Sequence, residues 1–186
     1  MLATLLPGGC AAAEAFGPPG AAGLRPAEAA AIGTAGPGRR AEFAAGRACA
    51  RAALGSLGIT PGPILPGRAG EPCWPPGVTG SITHCAGYRG AAVAREGDVA
   101  AIGIDAEPAR ALPDGLLAAV AGAGEQGRLR ELAAVSPDVA WDRLLFCAKE
   151  AAFKAWFARS GQRPGFLDLT VTPVPEAGRP GAGSFT

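Results

Sequence analysis

The chain has 186 residues, of which 48% are hydrophobic, and a formal net charge of +1. This length and apolar content indicate a packed globular protein, built as one domain or as two small halves that share a core. A near-neutral chain has no global electrostatic field to hold nucleic acid or an anionic membrane surface, so we expect no nucleic-acid partner and only local anion binding.

The cysteines and the N-terminus bear on the compartment. Five widely spaced cysteines form no Cys-x-x-Cys pair, and there is one histidine. This pattern argues against a disulfide framework and a zinc site and indicates a reducing compartment. The apolar N-terminus has no basic segment, and no run approaches the ~20 apolar residues that cross a bilayer. We therefore expect a cytoplasmic monomer with no membrane span.

The first clear element is a helix over residues 39–54, because the preceding 36 residues are rich in Ala, Gly and Pro and predict only a short strand or helix near their start. Arg47 and Arg51 each fall ~20° from Arg40 on the helical period, so the three form a basic stripe. Guanidinium groups in a row match phosphate oxygens. The alternative for an isolated helix is a solvated face whose Arg stems cover apolar neighbours.

A strand is predicted at 80–85, where short polar and apolar residues alternate and Thr83 precedes His84. A lone histidine is more often a hydrogen-bonded structural residue than a ligand. Residues 91–94 and 99–107, joined by a polar turn, are predicted to form a hairpin. This hairpin would bring His84 close to the far end of its second strand.

That far end carries two acids, Asp105 and Glu107, before Pro108. Side chains alternate along a strand, so the two carboxylates are predicted to lie on one face. Oxygen ligands on a rigid strand end suit a hard ion such as Mg²⁺, which also takes substrate phosphate oxygens. The alternative is a pair of solvated acids where a strand leaves the core.

Two helices are predicted after the acids, one over 125–135 and one that begins with Ser136 as its N-cap. Glu150 and Lys154 project from one face of the second helix, because they are one turn apart. Such a pair is often only an exposed structural ion pair. An alternating strand is predicted at 166–172, before a Pro/Gly-rich tail.

Two segments resemble motifs of the phosphopantetheinyl transferases. Residues 102–107 (IGIDAE) are similar to the family's (V/I)-G-(I/V)-D-x-E segment, and residues 146–154 (FCAKEAAFK) to its (F/W)-(S/C/T)-x-K-E-(A/S)-x-x-K segment. Two motifs at a fitting interval are a strong signal where either alone is weak. Residues 39–47 (RRAEFAAGR) and 72–85 resemble the enterobactin-type subgroup, which serves siderophore and other peptide or polyketide synthetases.

The resemblance implies an α+β fold, a pseudo-two-fold pair of halves in which a small antiparallel sheet packs against a long helix. We predict that residues 1–103 carry the Arg-lined coenzyme A-binding helix and the Thr-His strand. Residues 104–186 are predicted to carry the acids and the Lys-Glu-x-x-x-Lys helix. The chain ends sooner after residue 172 than the resemblance implies, so we expect a shortened closing strand or hairpin in the second half.

The resemblance also implies a reaction. The family transfers the 4'-phosphopantetheine arm of coenzyme A to a serine of an apo acyl or peptidyl carrier protein and releases adenosine 3',5'-bisphosphate, with Mg²⁺ required and Mn²⁺ as the alternative ion. Glu150 would take the serine proton, and Lys154 would bind phosphate oxygens and stabilise the leaving group. The metal ligands implied are Asp105, Glu107 and Glu150. The residues implied in coenzyme A binding are Arg40, Arg47, Thr83, His84 and Lys154.

Other interpretations stay open at the level of sequence. Glu125 lies where relatives often carry an acid and is a further candidate for the base or a fourth ligand. A non-catalytic relative that binds coenzyme A or a nucleotide, without the carrier surface, is the alternative function. A metal-dependent phosphohydrolase that uses the same carboxylates, with water as its nucleophile, is a third.

Overall fold

The computed structural model describes residues 1–18 and 23–175, and the backbone of 183–185. It has the mixed helix and antiparallel-sheet architecture that the family resemblance implies. In chain order the elements are β1 (Cys10–Phe16), α1 (Pro26–Ile32), α2 (Pro37–Ser56), β2 (Val78–Cys85), β3 (Tyr88–Arg95), α3 (Leu116–Val120), α4 (Ala123–Val135), α5 (Trp141–Ser160), β4 (Pro173–Pro175) and β5 (Gly183–Phe185), with 3₁₀ turns at Leu2–Leu5 and Phe166–Asp168.

The sheet of the first half has the strand order β1-β3-β2, with antiparallel pairing throughout. Strands β2 and β3 form the hairpin, and β1 pairs along the other edge of β3. The sequence predicted no strand at β1, because alanine is a weak β-former and fills most of it. Small residues fit here because the sheet is covered on both faces: residues 91–94 of the central strand are fully buried.

Helix α2 covers one face of this sheet, which confirms the helix predicted over 39–54. Its buried side chains pack on alternate residues of the strands, as the period of a β-strand requires. The cluster is formed by Cys49, Ala50, Ala53 and Leu54 of the helix with Val78, Ala91 and Val93 of the sheet.

The acidic segment covers the opposite face, and here the predicted hairpin is wrong. Residues 99–107 run as irregular chain across the sheet, and they do not pair with 91–94 in the described structure. Ile102 and Ile104 are buried against Ala92 and Ala94. Residues alternate between buried and less buried along 102–105, but this alternation reflects packing on a sheet face, which the sequence alone does not distinguish from strand pairing.

In the second half, α4 confirms the helix predicted over 125–135. Helix α5 begins later than predicted, at Trp141, and Ser136 instead follows the end of α4, where its carbonyl accepts a hydrogen bond from Trp141 Nε1 at 3.0 Å. The strand predicted at 166–172 is wrong, since this stretch begins as a 3₁₀ turn and continues as irregular chain. Of the Pro/Gly-rich tail, β4 and β5 pair as two short antiparallel strands, and residues 176–182 and 186 lie outside the described residues.

A buried lysine joins the elements of the second half. Lys149 of α5 is fully buried, and its ammonium donates to Val120 O at 2.8 Å, Glu125 Oε2 at 2.7 Å and Phe166 O at 2.9 Å. Burial raises the pKa of Glu125, but hydrogen bonds from Lys149, from the Val171 amide and from its own helix start outweigh burial and lower that pKa. Both oxygens of Glu125 therefore have structural partners.

Two further expectations concern the chain as a whole. All five cysteines, each within the described residues, are free thiols. Within the same described ranges, no helix combines the length and the apolar character that crossing a bilayer requires.

Replacing Lys149 with methionine is expected to lower the free energy of unfolding by about 3–5 kcal/mol, because it leaves the Glu125 carboxylate and two backbone carbonyls without their shared donor. Urea unfolding followed by circular dichroism measures this change. The matched control is Arg128→Met, which breaks an exposed ion pair to Glu131 at 3.0 Å and is expected to cost less than about 1 kcal/mol. An equal loss of unfolding free energy in the two variants would contradict the stabilising role given to Lys149.

Candidate active site

Two hydroxyl groups of β2 hold the acidic segment against the sheet. Ser81 Oγ accepts the amide of Ile104 at 3.1 Å, and Thr83 Oγ1 accepts the amide of Ala106 at 3.0 Å. Because a buried amide needs a partner, these side chains replace the backbone bonds that a neighbouring strand would supply. The spacing of the two hydroxyls matches the spacing of the two amides, so the register of the acids is fixed.

Gly103 lets the same segment approach helix α5. A Cβ built on this residue would overlap the backbone carbonyl of Ala151, the residue that follows Glu150 in α5. A glycine is therefore required between Ile102 and Ile104 for the strand-like segment and the helix backbone to meet. This close approach brings Asp105 next to the polar face of α5.

Asp105 lies at the centre of the resulting cluster. Its Oδ1 accepts hydrogen bonds from Lys154 Nζ at 2.7 Å and from Thr83 Oγ1 at 3.3 Å, and Lys154 also donates to Ile104 O at 3.1 Å. The carboxylate is 9% exposed. Its other oxygen, Oδ2, is buried and finds no hydrogen-bond partner in the part of the chain that the structure describes.

Glu150 and Cys147 face this carboxylate from α5. Burial raises the pKa of Glu150, the Lys154 ammonium opposes that rise, and the charges of Asp105 and Glu107 add to it. Burial and the Asp105 carboxylate raise the pKa of the Cys147 thiol to about 12, which keeps the sulfur protonated and neutral. The predicted Glu150–Lys154 pair is thus part of a cluster with Asp105 rather than an isolated exposed pair.

Glu107 points to the start of α5. Its Oε2 accepts a hydrogen bond from Arg143 Nη1 at 3.1 Å, and its side chain is 27% exposed. The structure therefore brings Asp105, Glu150 and Lys154 together, while Glu107 lies at the edge of the cluster. Over the described residues, no three acidic, thiol or imidazole side chains already surround a metal position.

The charges in this cluster nevertheless fit a cation. Three carboxylates influence one another, and a buried oxygen of Asp105 lacks a partner, which is costly unless another positive group reaches it. Carboxylate oxygens are ligands for a hard divalent ion. The residues present are therefore chemically suited to Mg²⁺ or Mn²⁺.

A cationic group lies beside the acids. Arg39 Nη1 is 3.3 Å from His84 Nε2, and desolvation together with the positive charges of Arg39, Lys154 and Arg89 lowers the pKa of His84 against the opposing effect of a nearby carboxylate. A neutral imidazole among cations would gain a proton if an anion bound there. This arrangement can hold a phosphate group.

The predicted arginine stripe is divided between different roles. Arg40 donates to the carbonyl of Gly33 at 2.6 Å, and Arg51 forms an ion pair with the buried Glu28 at 2.8 Å. Arg47 is 6% exposed, and its guanidinium stacks over the Phe43 ring at 3.7 Å. None of these contacts tests coenzyme A binding by Arg40 or Arg47, which stays a prediction.

A groove of about 630 Å³ adjoins the cluster. The proline-rich loop before β2 forms one wall with Trp74, and α5 forms the other with Phe153 and Phe157. Lys154, which binds Asp105, and Ser81, which binds the amide of Ile104, also line the groove. A long ligand with polar and apolar parts can therefore extend from the cluster along this groove.

Comparison with known proteins identifies the family. The model of the 4'-phosphopantetheinyl transferase N-terminal domain matches residues 27–94, and the model of the 4'-phosphopantetheinyl transferase superfamily matches residues 101–180. The chain is 53% identical to 4'-phosphopantetheinyl transferase Svp of Streptomyces mobaraensis, over 96% of this chain and 74% of the relative. The chain belongs to the 4'-phosphopantetheinyl transferase superfamily.

Other relatives of this transferase carry related names. The chain is 49% identical to 4'-phosphopantetheinyl transferase PptT of Mycobacterium tuberculosis, over 83% of this chain and 67% of the relative. It is 35% identical to enterobactin synthase component D of Salmonella typhimurium, over 76% of this chain and 58% of the relative. The resemblance found from the two motifs is thereby confirmed.

Sequence reasoning missed three side chains that the structure places in contact with candidate site residues: Arg39, Arg143 and Cys147. Arg39 and Cys147 lie inside the family motifs but next to the residues selected from them. Arg143 lies one turn before the second motif, and no local pattern connects it with Glu107. The helical period does place Arg143, Cys147, Glu150 and Lys154 along one side of α5, and this was the available signal.

Replacing Thr83 with valine is expected to lower the free energy of unfolding by about 1–3 kcal/mol, because the buried amide of Ala106 loses its acceptor. Thr83→Ser is the matched control, since it keeps the hydroxyl and is expected to stay close to the original stability. Thermal unfolding measures the difference, and hydrogen exchange at the Ala106 amide locates it. An Ala106 amide that is equally protected in both variants would contradict this role.

Proposed function

We propose that this transferase moves the 4'-phosphopantetheine arm of coenzyme A to a serine hydroxyl of an apo carrier protein in the cytoplasm. The observation that carries the proposal is the buried Asp105 carboxylate, which pairs on one oxygen with Lys154 and has no hydrogen-bond partner for the other among the described residues; Lys154 in turn lines a groove that also contains apolar rings. Such a site suits a ligand with a charged pyrophosphate and a long, less polar arm.

Coenzyme A fits the distribution of charge and apolar surface around that site. Arg39 supplies positive charge and His84 a hydrogen-bonding ring for a phosphate, which supports binding of the ribose 3'-phosphate at this pair. Lys154 pairs with Asp105, and its charge also acts on His84, so it is the proposed contact for the pyrophosphate. The walls of Trp74, Phe153 and Phe157 can cover the adenine or the pantetheine chain.

Asp105, Glu107 and Glu150 are the proposed ligands of a divalent ion, Mg²⁺ or Mn²⁺. When bound, such an ion neutralises pyrophosphate charge and orients phosphorus for in-line attack. The support from this chain is the unpartnered oxygen of Asp105 and the raised pKa of Glu150, since both carboxyl groups would be stabilised as anions by a cation beside them.

Glu150 is the proposed acceptor of the proton from the attacking serine. Its raised pKa makes it a better base than an ordinary carboxylate while it stays within the cluster. The serine oxygen would form a bond to the β-phosphorus of the coenzyme A diphosphate as the bond to the leaving phosphate oxygen breaks. Lys154 would stabilise the negative charge that develops on that leaving group, adenosine 3',5'-bisphosphate.

The carrier protein is proposed to belong to a peptide or polyketide synthetase. Support comes from the names of relatives, among them an enterobactin synthase component, which points to siderophore biosynthesis as one pathway of this kind. Coenzyme A binding by a protein that transfers nothing is the competing outcome. The transfer assay separates the two.

Glu150→Gln and Asp105→Asn are each expected to lower the rate of transfer by about 10²-fold or more. The first removes the proposed proton acceptor, and both remove a proposed ligand of the divalent ion. The measurement is intact mass spectrometry of an apo carrier domain after incubation with coenzyme A and Mg²⁺. Glu131→Gln is the matched control on an exposed face and should react like the original protein. Transfer at full rate by either site variant would contradict the assignment, and coenzyme A binding without transfer to several carriers would favour the non-catalytic function.

Divalent-ion binding is expected to weaken with falling pH, beginning above the ordinary glutamate pKa of about 4.3, because Glu150 has a raised pKa and its protonated form is a poor ligand. Mn²⁺ affinity measured by electron paramagnetic resonance across pH 4–8 tests this dependence. Glu150→Gln should bind Mn²⁺ more weakly and lose the part of the pH dependence that lies above pH ~4.3. The same pH profile in both proteins would rule out Glu150 as its source.

A further inference from the structure

Arg143 makes three contacts that converge on the chain just after the acidic motif. Besides Nη1 to Glu107 Oε2 at 3.1 Å, its Nε donates to Arg110 O at 3.1 Å and its Nη2 donates to Ala111 O at 3.1 Å. The side chain is 14% exposed. All three nitrogen atoms of one guanidinium group therefore bind a single short segment.

The neighbouring residue on α5 adds to this contact. Asp142 Oδ2 accepts the amide of Leu112 at 2.8 Å, while its Oδ1 accepts the amide of Arg143 at 2.8 Å. The first turn of α5 thus binds carbonyls and an amide of the segment that carries Glu107. Because this segment is irregular chain, these side-chain contacts determine where Glu107 points.

We propose that Arg143 is a positioning residue that directs the Glu107 carboxylate toward the divalent ion. This inference rests on the metal site of the proposed function and assigns Arg143 no direct contact with coenzyme A or the ion. Arg143 holds Oε2 and leaves Oε1 of Glu107 available as a ligand. A carboxylate fixed in this way binds an ion without first losing the freedom of its side chain, so the ion is bound more tightly.

The planar guanidinium group explains why this position needs arginine. Its fixed fork can reach one carboxylate and two carbonyls at once, whereas a lysine ammonium is a single point charge on a flexible stem. The charge of Arg143 by itself would weaken metal binding, because a cation on Glu107 competes with a metal ion for the same carboxylate. Removing Arg143 should therefore weaken ion binding if Arg143 positions Glu107, and should strengthen ion binding if Arg143 only competes for it.

The test is Mn²⁺ binding to the full chain without coenzyme A or carrier, measured by electron paramagnetic resonance for the original protein, Arg143→Met and Arg143→Lys. We expect the Mn²⁺ dissociation constant to rise about 10-fold or more in Arg143→Met, the range found when a partner of a ligating side chain is removed. Arg143→Lys should remain weakened, since it keeps the charge and loses the fork. Arg128→Met, which also removes an arginine from an ion pair with glutamate, is the control and should bind Mn²⁺ normally.

Hydrogen exchange over residues 107–112 supplies a readout that is independent of the ion. Arg143→Met and Arg143→Lys should both exchange faster there than the original protein, with the rest of α5 still protected. Unchanged or tighter Mn²⁺ binding in Arg143→Met would overturn the proposal, and so would normal binding in Arg143→Lys. Asp105→Asn separates a failure of the positioning role from a failure of the metal site itself. If Asp105→Asn binds Mn²⁺ as tightly as the original protein does, the metal site of the proposed function is wrong as well.

Discussion

The chain from Ile102 to Leu112 is held by side chains from other elements, and the active-site geometry depends on these contacts. Hydroxyl groups of β2 accept the amides of Ile104 and Ala106, Lys154 donates to the carbonyl of Ile104, and the first turn of α5 binds the end of the segment. A buried segment of irregular chain needs such partners for its amides and carbonyls. The positions of Asp105 and Glu107 are consequently determined by β2 of the first half and by Lys154 and the first turn of α5.

Helix α5 serves stability and chemistry through adjacent residues. Lys149 points into the core of the second half, and Glu150, the next residue, points into the cluster around Asp105. Consecutive helical residues diverge by about 100°, so one residue can hold the helix in place while the next takes part in the site. The Lys-Glu pair of the second motif therefore combines a structural ion pair with a proposed catalytic carboxylate.

Carboxylates and cationic side chains influence one another across the candidate site. Burial and the charges of Asp105 and Glu107 raise the pKa of Glu150, while burial and the charges of Arg39 and Lys154 lower the pKa of His84. Groups of both signs in one region suit the proposed binding of a divalent cation together with a polyanionic ligand, because each bound charge can meet groups of the opposite sign. The arginines of α2 have different partners: Arg51 pairs with Glu28, whereas Arg39 lies against His84.

The sequence alone determined the family, the α+β class, helices α2 and α4 and the residues of the two motifs, because helical periodicity and motif spacing are local properties. It did not reveal β1, because alanine is a weak β-former and these half-buried alanines become strand residues only by pairing with β3. Nor could it show that residues 99–107 cross a sheet face, since packing and pairing produce the same alternation. The contacts of Arg143 with Glu107 and of Thr83 with Asp105 were decided by tertiary structure, because they join side chains far apart along the chain that only the packing of α5 and β2 brings within hydrogen-bond distance.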